Sequence, residues 1–190
     1  AFVPFVMVGD PDIQTSVNII KALVEGGADA LELGFPYSDP IADGPTIQQA
    51  SIRALSNKIK TDDCFEIIRQ VRDTYADIPI GLLLYSNLVF KRGIEKFYND
   101  AAKAGVDSIL IADVPLREAD RFIAIAEQTA IKQILIAPPN ASDETFAEIG
   151  KKSQGYFYLL GRAGVTGAEI AVTIPASELI DKLTKYKVAP

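Results

Sequence analysis

Short runs of β-branched and aliphatic residues alternate along this chain with stretches whose apolar positions recur every three or four residues. The runs at 2–8, 30–35, 79–85, 107–113, 133–137 and 155–160 predict strands, and the periodic stretches between them predict amphipathic helices. The first helix is expected with Asp10 as cap and Pro11 at its opening position, Ile13, Val17, Ile20 and Val24 as its buried stripe, and Gly26-Gly27 as its stop. Thr46 with Gln49 reads as a capping box for a short second helix, and Thr61 as the cap of a third that carries Phe65, Ile68 and Val71. Further helices are predicted at 94–104, 119–128, 145–151 and 176–186.

In the second strand the alternation Leu31, Glu32, Leu33 assigns the leucines to a helix-covered face and Glu32 to the opposite, inner face. An acid there is costly unless it is used or paired. An internal repeat relates 25–34, EGGADALELG, to 103–112, KAGVDSILIA, and sets Glu32 against Leu110. Repeated strand-helix units point to a parallel sheet, closed as a (β/α)8 barrel or open and doubly wound. A nucleotide-binding open sheet would show a G-x-G-x-x-G turn after its first strand, where this chain has Val8-Gly9-Asp10-Pro11, so the barrel is favoured. Barrels keep their working residues at the carboxyl ends of strands, where Asp10, Glu32, Ser38, Asp39, Asp43, Tyr85, Asn87, Asp113, Asn140 and Arg162 fall.

Composition narrows the chemistry. The 190 residues are 48% hydrophobic and 23% charged, ordinary for one domain with a real core. The net charge of −6, without a basic stripe, argues against nucleic acid or an anionic membrane as partner. No apolar run reaches the roughly 20 residues of a membrane span. The chain opens on AFVPFVMVGD with no basic n-region, so no signal peptide is expected and a reducing cytoplasm is the default compartment. The lone Cys64 excludes a disulfide framework and reads as a small core residue. With no histidine there is no Ser-His or Cys-His dyad, no His-ligated zinc and no imidazole base, so acid-base work falls to Asp, Glu, Tyr or Lys.

The segments AFVPFVMVGDP, ALELGFPYSDPIADGPTIQ, IPIGLLLYSNLVF, GVDSILIADVP, APPNAS and YLLGRAGVTGAE resemble the tryptophan synthase alpha subunit family over essentially the whole chain. The resemblance implies a (β/α)8 barrel that cleaves indole-3-glycerol phosphate to indole and glyceraldehyde 3-phosphate. It implies no cofactor and no metal in this chain, and a pyridoxal-phosphate-dependent beta subunit that takes the indole within an alpha2beta2 heterotetramer. It makes Glu32 and Asp43 the catalytic pair and sets Phe5, Leu83, Leu110, Ile136 and Tyr158 around the indole. The loop of Gly161, Arg162, Gly164, Thr166 and Gly167 resembles a lid, with Thr166 bonding Asp43 on closure and Gly167 meeting the phosphate. Pro36, Asp39, Pro40, Asn87 and Pro115 fall where the family contacts its beta subunit.

The chemistry fits such roles. A retro-aldol cleavage must protonate the ring carbon bearing the side chain and deprotonate the adjacent hydroxyl, and a carboxyl raised toward neutrality by apolar surroundings can do both. Judged alone, Glu32 is as readily a paired structural acid, Asp43-Gly44 an ordinary turn, and the apolar set plain barrel packing. Only six strands are readable, so the single domain at 1–190 is expected to lack the seventh and eighth units, which normally supply phosphate loops. A non-catalytic barrel that only binds the beta subunit is the alternative.

Overall fold

A computed structural model describes residues 1–138 and 140–160, with positions 180, 181 and 184 helical. Six strands follow one another in the sheet in chain order: β1 (Phe5–Met7), β2 (Leu31–Gly34), β3 (Ile80–Leu84), β4 (Ser108–Ile111), β5 (Lys132–Ala137) and β6 (Phe157–Leu159). Every pairing is parallel. Between them run α1 (Ile13–Glu25), α2 (Pro45–Ser56), α3 (Thr61–Thr74), α4 (Ser86–Arg92), α5 (Ile94–Ala104), α6 (Asp120–Gln128) and α7 (Asp143–Lys152).

The sheet is curled. In a flat sheet β1 and β6, five spacings apart, would lie about 24 Å from each other. Here Phe5 of β1 and Tyr158 of β6 line a single cavity of about 110 Å3. This is the curvature of a barrel wall, as the barrel reading expects.

The two faces of the wall differ as the alternation in β2 predicts. Leu31 and Leu33 are buried against the helices together with Ile20 of α1, Ile67 and Ile68 of α3, Leu82 and Ile109, while Glu32 is half-buried on the other face. A second cluster of Leu135, Phe146, Ile149 and Phe157 seats α7 on β5 and β6. One buried polar contact ties the layers: the Tyr98 hydroxyl donates to Gln133, whose amide donates to the Ile109 carbonyl at 3.1 Å.

Local starts differ from the sequence reading where a neighbour competes for the capping group. Asp12, not Asp10, caps α1, its carboxylate accepting from the Thr15 amide at 2.9 Å. Asp10 instead takes a two-pronged bond from Arg53 of α2, at 2.8 and 2.7 Å. α2 opens at Pro45 behind Gly44, so Thr46 lies inside its first turn and makes no capping box; the Gln48 amide reaches back to the Asp43 carbonyl at 2.8 Å. Thr61 is the first helical residue of α3, and Asp63 covers the free Lys60 amide at 2.8 Å. Ser142 caps α7 and moves its start two residues ahead of the expected 145. α4 escapes the periodicity argument because it is seven residues long and buries only Val89. The expected helix at 176–186 is described only at positions 180, 181 and 184, all helical.

The repeat and the sheet register disagree, and the sheet decides which side chains meet. By repeat Glu32 matches Leu110, yet across the sheet Glu32 is level with Gly81 and, through it, Ser108, while Leu110 is level with Leu83 and Gly34. A two-residue stagger between strands two apart is what tilting strands into a barrel wall requires.

Candidate functional site

Two cavities open on the inner face. The upper one, about 110 Å3, is walled by Phe5, Met7, Phe35, Leu83, Leu110, Ala112, Ile136, Tyr158 and Leu160, with Asp43 and Tyr85 at its polar side. The five apolar and aromatic residues expected around the indole therefore converge with Asp43 on one enclosure. Gly34 makes this possible locally, since a Cβ there would stand 2.5 Å from the Phe5 ring and 3.3 Å from the Met7 methyl. The ring lies where a side chain on β2 would otherwise be.

Asp43 follows the loop after β2. Burial raises its carboxyl above the usual range, opposed by a hydrogen bond from the Tyr85 hydroxyl. That hydroxyl also accepts from the Ala42 amide at 3.0 Å, and burial together with the Asp43 charge pushes its own ionisation upward.

Glu32 lines the neighbouring cavity, of about 460 Å3, with Val3, Pro79, Gly81, Ser108, Tyr156 and Tyr158. Glu32 and Asp43 thus line neighbouring cavities that share Tyr158 as a common wall. Burial raises the Glu32 carboxyl. Tyr156 and Tyr158 are raised by burial first and by the Glu32 charge next. Gly81 leaves room for the Ser108 and Tyr156 hydroxyls: a Cβ there would stand 2.9 Å from the first and 3.5 Å from the second.

Sequence reasoning missed Tyr156, although 156 and 158 share a face by simple alternation. It noted Tyr85 only as a polar strand end. Among the described residues no three His, Cys, Asp or Glu side chains cluster as metal ligands. No helix of the described residues is long and apolar enough to cross a membrane. Thr166, Gly167 and the rest of the expected lid, Gly161, Arg162 and Gly164, lie outside the described residues.

The residues expected at a partner interface all follow the carboxyl ends of β2, β3 and β4. Pro36 is buried, whereas Asp39, Asn87 and Pro115 are exposed and Pro40 is intermediate. Pro36 and Asn87 line a groove of about 680 Å3 with Tyr37, Leu88 and Lys91. Ile41, 74% exposed, follows Pro40 in the loop after β2, and Phe90, 41% exposed, lies in α4; neither was anticipated.

A family model described as tryptophan synthase alpha chain matches residues 1–190. The tryptophan synthase alpha chain of Vibrio parahaemolyticus is 56% identical over 190 residues, which are 100% of this chain and 71% of that relative. The Cronobacter sakazakii alpha chain is 55% identical over the same span and share. Among solved structures, Mycobacterium tuberculosis tryptophan synthase superposes with a TM-score of 0.88 at 31% identity, covering 98% of this chain and 70% of that one. The tryptophan synthase a2b2 complex of Pyrococcus furiosus gives 0.84 at 35% identity, covering 98% and 73%. With the family model matched from end to end and the barrel wall superposed, the chain belongs to the tryptophan synthase alpha chain family, a family of lyases of tryptophan biosynthesis.

Proposed function

We propose that the full-length protein catalyses the retro-aldol cleavage of indole-3-glycerol phosphate, releasing indole and glyceraldehyde 3-phosphate. The observation that carries the reading is the pair of cavities joined at Tyr158, one apolar with Asp43 at its edge, the other holding the raised carboxyl of Glu32. A flat aromatic ring suits the first. A ligand lying along Tyr158 meets Asp43 on one side and Glu32 on the other.

In this reading Asp43 accepts the indole N–H and stabilises the ring when it becomes cationic. Protonated Glu32 delivers its proton to the ring carbon that bears the side chain. Its carboxylate then removes the proton of the adjacent hydroxyl, the carbon–carbon bond breaks, and the bonding electrons return to the ring. The proton count closes, since Glu32 ends as it began. A carboxyl raised by burial suits both halves of that cycle. Thr166 bonding Asp43 and Gly167 meeting the phosphate complete the proposal.

The chain works in the cytoplasm without a cofactor of its own, the pyridoxal phosphate residing in a beta subunit within an alpha2beta2 assembly. The rim of Asp39, Pro40, Asn87 and Pro115 faces that partner, with Pro36 supporting it from within. The exposed Ile41, next to Asp39 and Pro40, also fits a second reading, a module that binds the beta subunit without turnover.

Indole release from indole-3-glycerol phosphate, measured with and without a beta subunit, decides between them. Release by the wild type that Glu32→Gln abolishes supports the lyase; tight binding without release supports the module.

A further inference from the structure

Tyr85 is nearly buried, at 5% exposure, and sits directly beyond β3. Three neighbours fix it. The Asp113 carboxylate accepts from both the amide and the hydroxyl of Ser86, at 2.8 Å each, pinning the backbone one residue on. The Tyr37 ring packs against it with centroids 5.3 Å apart. Tyr37 in turn is held by the Asn87 amide, which donates to its hydroxyl at 2.6 Å. A side chain so constrained holds its hydroxyl at one point in space, beside the loop that carries Asp43.

We propose that Tyr85 is a positioning residue for the cleavage, its hydroxyl latching the 42–43 loop to the end of β3 and aiming the Asp43 carboxylate into the apolar cavity. The hydroxyl is anchored on that loop, accepting from the Ala42 amide at 3.0 Å, one residue before Asp43, whose carboxyl it draws toward the charged form. The inference rests on the proposed lyase reading, because it assigns Tyr85 to the service of Asp43.

Chemistry explains why such a latch is needed. Asp43 must be ionised to accept the indole N–H and to balance a cationic ring, yet it stands beside an apolar enclosure that favours the neutral acid. A hydrogen bond donated to the carboxylate favours the charged form. The groups facing this pair are Asp43 itself, Tyr37, Tyr158 and Asp113. Among the described lining residues none is a cation, so dipoles such as the Tyr85 O–H carry the balance. Burial first, and then the Asp43 and Asp113 charges, keep the Tyr85 hydroxyl protonated and available as a donor.

The test is Tyr85→Phe in the full-length protein assayed with a beta subunit, because phenylalanine keeps the packed ring and deletes only the hydroxyl. The expected result is a loss of about ten- to a hundredfold in kcat/KM, carried by kcat more than by KM, as removal of one hydrogen bond to a charged group produces. The acid limb of the pH profile moves upward. Carbon-13 titration of the Asp43 carboxyl, which needs no turnover, moves upward with it. An Asp43 titration and a pH profile both identical to wild type overturn the proposal. Amide exchange at Ala42 in the wild type adds a reading that no substitution can confuse, with protection expected and rapid exchange counting against the latch. Should the wild type release no indole, the lyase reading falls, and the titration and exchange still judge the latch.

Discussion

The two cavities on the inner face are built from the same strands and differ in what surrounds the acid. The upper one is small, about 110 Å3, and nearly all its walls are apolar; its acid is supplied from a loop and steadied by Tyr85. The lower one is about 460 Å3, and its acid comes from within a strand, among the hydroxyls of Ser108, Tyr156 and Tyr158. An acid on a loop can be aimed by hydrogen bonds. An acid on a strand has its direction set by the pleat and can be adjusted only by what the adjacent strands leave beside it. That is why Gly81, with no side chain, stands level with Glu32.

Substitutions that alter one cavity at a time test this contrast. The largest expected effect is on chemistry. Glu32→Gln keeps the shape and removes the proton, and a loss of about 10²- to 10⁴-fold in indole release is expected, the usual yield of a positioned general acid-base; retention of ordinary turnover would show that the strand acid is structural. Next is Leu110→Ala, which enlarges the tight cavity at a buried position. A cost of about 2–5 kcal/mol in urea unfolding is expected.

Gly34→Ala attacks the same cavity from the other side, driving a methyl group into the Phe5 ring. Overpacking of this kind costs about 1–3 kcal/mol, and displacement of the ring should raise KM for the indole substrate alongside the fall in stability.

The smallest effect is a pH dependence of stability. The folded Glu32 carboxyl titrates above its ordinary 4.5. Between that value and the folded one, the native state keeps a proton that the unfolded chain has released, so stability falls as pH rises through this window and then levels. Relative to wild type, Glu32→Gln should gain stability across the window and gain nothing below it, checked by denaturant titrations at several pH values. A constant difference across pH would mean that the lower cavity solvates its acid fully.

Much of this was legible before any coordinates. The alternation of Leu31, Glu32 and Leu33 sorted the strand's faces correctly, because a parallel sheet under helices favours apolar residues on its covered side and holds a polar one there, such as Gln133, only with partners. The family resemblance gathered Phe5, Leu83, Leu110, Ile136 and Tyr158, and they do line one cavity with Asp43. Capping was less legible. Asp10 and Asp12 are both plausible caps for α1, and the choice was made by Arg53, 43 residues away from Asp10, which draws its carboxylate elsewhere.

Apart from α4, the order of strands and helices, the acid on an inner face and the family itself follow from the chain as written, since periodicity, glycine stops and motif identity are local properties. Which acid shares a cavity with which aromatic does not. Glu32 matches Leu110 by repeat and Ser108 by register, and the difference arises only when the strands stagger into a curled wall. The same holds for the Tyr85 latch, a hydrogen bond between residues 43 apart that forms because parallel pairing sets the carboxyl ends of β2 and β3 side by side. Local pattern dictates which way a side chain points; only the pairing and curling of the sheet determine what it meets.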